Sequence, residues 1–190
     1  MMREGLEQTL LQPEANEADA IQTVLDLARL LLCKSIGFEA GEAWAISVFR
    51  VRSDGGAPRL TRIGALRADT LDPRQTAREW RVNEGFVGAA WASSRDIIID
   101  DSDDPRVAQD YPVPTALRRD YDATRYRSMA AIPIRFGPGQ KVWGVVAGSS
   151  DQTGRFHRDT GNRNKQAVDT IRLIARMVAL AGAAFRRNHS

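Results

Sequence analysis

Two neighbouring runs decide how this chain folds: Tyr126-Arg127-Ser128-Met129-Ala130-Ala131-Ile132-Pro133-Ile134 and Val142-Trp143-Gly144-Val145-Val146-Ala147-Gly148-Ser149. Residues 128–135 and 142–149 are apolar on both faces, as strands at the centre of a sheet are. Gly137-Pro138-Gly139 between them is a turn signal, so the two runs read as an antiparallel pair.

Outward from this pair, the remaining elements fall into place. Trp44, Ile46, Val48, Phe49 and Val51 are β-favouring and recur at a period of two. Ser53-Asp54-Gly55-Gly56 separates them from a second run, 59–66, which predicts a hairpin. Before the hairpin, Ile21, Val24, Leu25, Ala28, Leu31 and Leu32 recur at helical steps and predict an amphipathic helix over 17–36, ended by Gly37. Residues 1–16 read as a flexible tail. The polar stretch 69–78, with Pro73, reads as a loop. Residues 82–92 predict a short helix in which Gly85 and Gly88 allow another backbone to approach closely. Ile97-Ile98-Ile99 predicts a short buried strand. Residues 100–126 form a long excursion with three prolines and three tyrosines, and a segment of that length in a compact domain is often a functional lid. Pro114 suits the first turn of a short helix reaching Asp120. The chain closes with a helix predicted over 159–187. Its apolar stripe runs from Val168 through Ile171, Ile174 and Val178 to Phe185, and at ~1.5 Å per residue it would span ~42 Å.

This order predicts an α+β sandwich: a central antiparallel sheet of five to six strands, the N- and C-terminal helices on one face and the lid on the other. A single domain over 17–187 is expected, with 188–190 as a tail. The 190 residues are 43% hydrophobic and 27% charged, the balance of a globular chain. The 27 basic residues exceed the 24 acidic ones by only +3, too little for salt-driven nucleic-acid binding without a patch. All of those basic residues except Lys34, Lys141 and Lys165 are arginine. One cysteine, Cys33, leaves no disulfide framework and no thiolate zinc site. The two histidines, His157 and His189, stand far apart, so no metal centre is expected. No apolar run reaches the ~18 residues of a membrane span. No signal-peptide pattern opens the chain, and a cytoplasmic location is expected.

The three segments Asn83-Glu84-Gly85-Phe86-Val87-Gly88-Ala89-Ala90, Tyr126 to Ile134, and Val142 to Ser149 followed by Phe156 resemble, in that order, the motifs of a GAF domain. The first is similar to the family's "G-x-x-G-x-(A/V)" helix start, the second to its "RSMLAVPI" strand, the third to its "GVLxLxS…F" strand and loop. The resemblance covers roughly residues 20–184. It implies a PAS-like sensory or regulatory module. Many GAF domains hold cyclic nucleotides, bilins, haem or other small metabolites between sheet and lid, and others serve as dimerisation units.

The resemblance places a pocket between the lid and the sheet face away from the terminal helices. Strand alternation then offers Ser128 and Ala130 on one strand, with Ala147 and Ser149 on the next, as small pocket-facing residues; Met129 and Ala131 would face the helices. Trp91, Tyr111 and Tyr121 are candidate aromatic walls. Arg118, with Arg119, Arg125 and Arg127 nearby, is a candidate partner for a carboxylate or phosphate, and Asp101, Asp103 and Asp104 are candidate acceptors. Plainer readings stand beside these. Trp91 also reads as core, the tyrosines as packing for the lid, the serines as partners for sheet-edge groups, the aspartates as loop caps and the arginines as surface.

No catalytic residue is expected, and a non-enzymatic role follows. Free methionine sulfoxide reductases resemble GAF domains but work through pocket cysteines, whereas Cys33 lies among the leucines of the first helix. The same position argues against covalent bilin attachment. The "NKFDE" pattern of phosphodiesterase-type cyclic-nucleotide domains is not intact, so a cyclic nucleotide or another small metabolite stays open as ligand. The expected function is small-molecule sensing or signal relay, with ligand between sheet and lid and the signal passed through the terminal helices. A ligand-free dimerisation scaffold acting on a partner protein is the alternative. Either reading expects a homodimer through the terminal helices and an output protein in trans, with no nucleic acid and no membrane.

Overall fold

The structure, a computed structural model, describes residues 16–68, 77–135, 141–157 and 165–188. Residues 1–15 of the tail expected over 1–16, 69–76 of the loop expected over 69–78, Gly137-Pro138-Gly139, 159–164 of the helix expected over 159–187 and the final two residues lie outside these.

Helix α1 spans Glu17–Ile36. Asn16 caps it: its side chain accepts from the N–H groups of Ala18 and Asp19, and Asp19 reaches back to the Asn16 N–H. This reciprocal arrangement satisfies donors that the first turn leaves open. Gly37 ends the helix in the left-handed region, where a side chain would be strained. Strands β1 (Trp44–Arg52) and β2 (Arg59–Arg67) form the expected hairpin, with an irregularity between Val48 and Phe49. Helix α2 (Gly85–Ser93) and strand β3 (Ile97–Ile99) follow. Three short pieces make up the lid: α3 (Pro105–Asp110), a 3-10 turn (Thr115–Leu117) and α4 (Asp122–Arg125). The helix expected from Pro114 to Asp120 is only that 3-10 turn. Strands β4 (Ser128–Arg135) and β5 (Val142–Ser150) then lead to α5 (Lys165–Asn188).

The sheet has five strands, all antiparallel, in the order β2-β1-β5-β4-β3. The pair read as central is central, with β5 in the middle position. Each face carries its own core. On one side, Ile21 and Leu25 of α1 and Ile171, Ile174 and Val178 of α5 pack on Ile46, Val48, Ala130, Ile132, Ile134 and Val146. On the other, Leu60, Trp80, Val87, Ala90, Met129, Ala131 and Val145 pack under α2 and the lid. Burying each large apolar side chain contributes roughly 1.5–3 kcal/mol. Glu42, buried before β1, accepts from Ser150 at 2.5 Å and from Arg155 at 2.7 and 3.0 Å, so the start of β1 and the segment after β5 are held together. Among the described residues, no helix is long and apolar enough to cross a membrane.

Candidate functional site

Antiparallel pairing places directly opposed residues on the same face of a sheet. Met129 opposes Ser149, and Ala131 opposes Ala147. Ala147 and Ser149 line a cavity on the lid side, and Met129 joins them there. Ser128 opposes Ser150 and Ala130 opposes Gly148, so both point the other way. The placement of Ser128 and Ala130 in the pocket is therefore corrected, as is that of Met129 and Ala131 against the helices. Ala130 belongs to the helix-side core. The fully buried Ser128 hydroxyl donates to the Ile99 carbonyl at 3.1 Å and accepts from the Phe156 N–H at 2.9 Å.

The cavity has a volume of about 420 Å³. Its floor is the lid-facing side of the sheet, where Ala45, Ser47, Ala147 and Ser149 leave room and Phe49 and Met129 bound it. Trp80 and Phe86 form one wall. The lid contributes Tyr111, Arg118, Tyr121, Arg125 and Tyr126. Of the residues nominated from sequence, Asp103, Tyr111, Arg118, Tyr121, Arg125, Ala147 and Ser149 are brought together here. Trp91 packs half-buried against the lid-side core without reaching the cavity. Asp101 also stays outside it, accepting from the Asp103 N–H at 3.0 Å and lying 3.8 Å from Arg127. Asp104 caps α3 and pairs with Arg106, whose guanidinium holds its carboxyl below the ordinary carboxylate range.

Sequence reasoning missed Arg78, which lies between β2 and α2, and the arginines of β2. Arg78, nearly buried, ion-pairs with Asp122 at 2.5 Å, and its guanidinium lies 5.8 Å from the Trp80 ring, 5.9 Å from Tyr121 and 5.6 Å from Tyr126. Asp122 also accepts from the Arg119 N–H at 3.0 Å. Arg125 stacks on Tyr121 at 4.3 Å, and the two tyrosine rings meet edge-on at 6.3 Å. Burial keeps the Tyr126 hydroxyl protonated to higher pH than an ordinary tyrosine, although Arg78 opposes the shift. Arg62 and Arg67 reach the cavity from β2. Arg78 stands in a stretch that carries no periodicity, and Arg62 and Arg67, which strict alternation would put on opposite faces, both reach the cavity because the pairing register shifts between Val48 and Phe49. The one available clue was the small alternating pair Ala45 and Ser47 on β1.

Among the described residues, no group of three or more histidine, cysteine, aspartate or glutamate side chains could hold a metal ion. Cys33, the chain's single cysteine, is half-buried against the core on the far side of the sheet.

No family model matches the sequence, and no curated protein does. Solved structures do match in fold. A free methionine-R-sulfoxide reductase from Neisseria meningitidis, determined with its substrate, superposes with a TM-score of 0.60 at 15% identity, covering 98% of this chain and 90% of that one. The GAF domain of an Acinetobacter phosphoenolpyruvate-protein phosphotransferase gives 0.57 at 12% identity, covering 98% and 96%. A segment of a methyl-accepting chemotaxis protein gives 0.58 at 18% identity, covering 98% of each chain. The fold is that of a GAF domain. The expectation that the chain is not an enzyme needs correction. Free methionine-R-sulfoxide reductases share this fold over nearly the whole chain, so the fold gives no ground for excluding catalysis.

Proposed function

We propose that this protein is a small-molecule-sensing or signal-relay GAF module whose ligand sits between sheet and lid. The observation that carries this reading is the cavity of about 420 Å³, within the ~300–1,000 Å³ of small-molecule sites. A ligand-free scaffold calls for large side chains to plug that space, yet its floor is Ala45, Ser47, Ala147 and Ser149. Lid closure over the ligand would bear on β4 and β5, whose opposite face packs α5, and so shift the terminal helices. Those helices are also the proposed homodimer surface. Leu30 and Leu31 of α1 and Leu180 of α5 are exposed by 85%, 64% and 73%. The output protein would then be engaged in trans.

Native mass spectrometry beside a denatured sample tests the reading. The expected result is a dimer carrying extra mass that disappears on denaturation. Ala147→Leu fills the floor and is expected to abolish that extra mass with the fold retained. Extra mass that persists in the variant would place the ligand elsewhere.

A further inference from the structure

Arg62 is the one arginine on the sheet face of the cavity that makes no hydrogen bond or ion pair with any described residue. It is half-buried on β2, with Phe49 as its cross-strand neighbour. Two residues away, Leu60 bridges to Trp80. The other charges at the cavity are spent. Arg78 is paired with Asp122, and Asp103 is held by Arg127 at 2.8 Å. Arg118 donates to the Val113 carbonyl at 3.0 Å. A guanidinium half-removed from water, with no described residue to pair with, is a costly arrangement unless an anion completes it.

Resting on the cavity reading above, we propose that the ligand is a planar aromatic carboxylate whose anionic end is held by Arg62. The guanidinium fork matches the two oxygens of a carboxylate. The floor beside it carries no side chain larger than serine at Ala45, Ser47, Ala147 and Ser149, while Trp80 and Tyr126 present rings. That is a slot for a flat ring. A phosphate is the weaker fit, because phosphate sites draw on free backbone N–H groups. Around this cavity the Gly85 N–H is given to the Pro112 carbonyl at 2.9 Å, the Ser102 N–H to Arg127 at 2.8 Å and the Arg119 N–H to Asp122.

Ligand-observed NMR titration of the full chain with benzoate, phenyl phosphate and benzyl alcohol tests the proposal. The three share a ring and differ in charge. Benzoate is expected to bind best, to bind Arg62→Gln about tenfold more weakly, and to bind Arg62→Lys in between. Benzyl alcohol is expected to bind the wild type and Arg62→Gln alike. Circular dichroism confirms that each variant folds. Equal benzoate affinity for wild type and Arg62→Gln overturns the assignment, as does tighter binding of phenyl phosphate or no binding of any probe. Ala147→Leu separates the two levels. If it abolishes benzoate binding while Arg62→Gln changes nothing, the cavity stands and the anchor falls. If benzoate binds and Ala147→Leu leaves that binding untouched, the cavity reading itself falls.

Discussion

The Ser128 hydroxyl holds two backbone groups from different parts of the chain, the Ile99 carbonyl at the end of β3 and the Phe156 N–H beyond β5. Ser128→Ala strands that buried N–H. Urea denaturation should register a loss of about 1–3 kcal/mol, with benzoate binding unchanged. Gly88 is constrained differently: a Cβ there would overlap the Arg81 carbonyl oxygen. The close backbone approach read from the Gly85 and Gly88 spacing is thus real, and Gly88→Ala should lower the midpoint of thermal unfolding. Tyr126 gives a pH signature. Its hydroxyl pKa is raised by burial, so the fold favours the neutral form. That contribution is fully present below the ordinary tyrosine value of about 10 and is lost as pH rises through the raised folded value. Stability measured across that window should fall less steeply in Tyr126→Phe, and a step of the tyrosinate absorbance titration above the ordinary value should vanish.

At the scale of elements, one fastening of the lid is the pair between Arg78, which lies between β2 and α2, and Asp122 of α4. Asp122→Ala removes both that pair and the acceptor of the Arg119 N–H, and leaves Arg78 charged among aromatic rings. The cost should be on the order of 2 kcal/mol. Hydrogen exchange should accelerate over 115–126 while β4 and β5 stay protected; unchanged exchange there would mean the lid is held by its apolar contacts. The elements themselves were legible because their periods differ: α1, the hairpin and the order of strands follow from spacing. The facing of β4 was not. Ser128-Met129-Ala130-Ala131-Ile132 offers small or apolar side chains to both sides, so alternation carries no phase. Matching Ser128 with Ser149 instead of Ser150 slips the register by one residue and reverses the whole strand. Phase comes from packing that spacing does not encode: Gly148 is bare because the Phe156 ring would lie 2.8 Å from its Cβ.

For the molecule as a whole, the sheet divides two kinds of surface. The lid side holds arginines and aromatic rings around a cavity; the helix side ends outward in Leu27, Leu30, Leu31, Leu173 and Leu180. If α1 and α5 join two copies, Leu30→Glu with Leu180→Glu should yield a monomer in analytical ultracentrifugation and leave benzoate affinity nearly unchanged. A dimer that survives both substitutions would move the interface elsewhere. The cavity's charge was half legible: Arg118 announced itself within an arginine-rich lid, whereas Arg62 sits in a strand where nothing in the spacing marks it for a ligand.

The strand order also governs how the chain acquires its structure. Trp44 is paired with Ser150, and Arg50 with Gly144, so β1 waits for β5, the last of the described strands, before its inner edge is covered. At ~5–20 residues per second, a nascent hairpin of β1 and β2 stands on the ribosome for seconds with one open edge. Closure of so distant a pair makes folding slow, and the window in which that edge can find a wrong partner is set by translation as much as by the sequence.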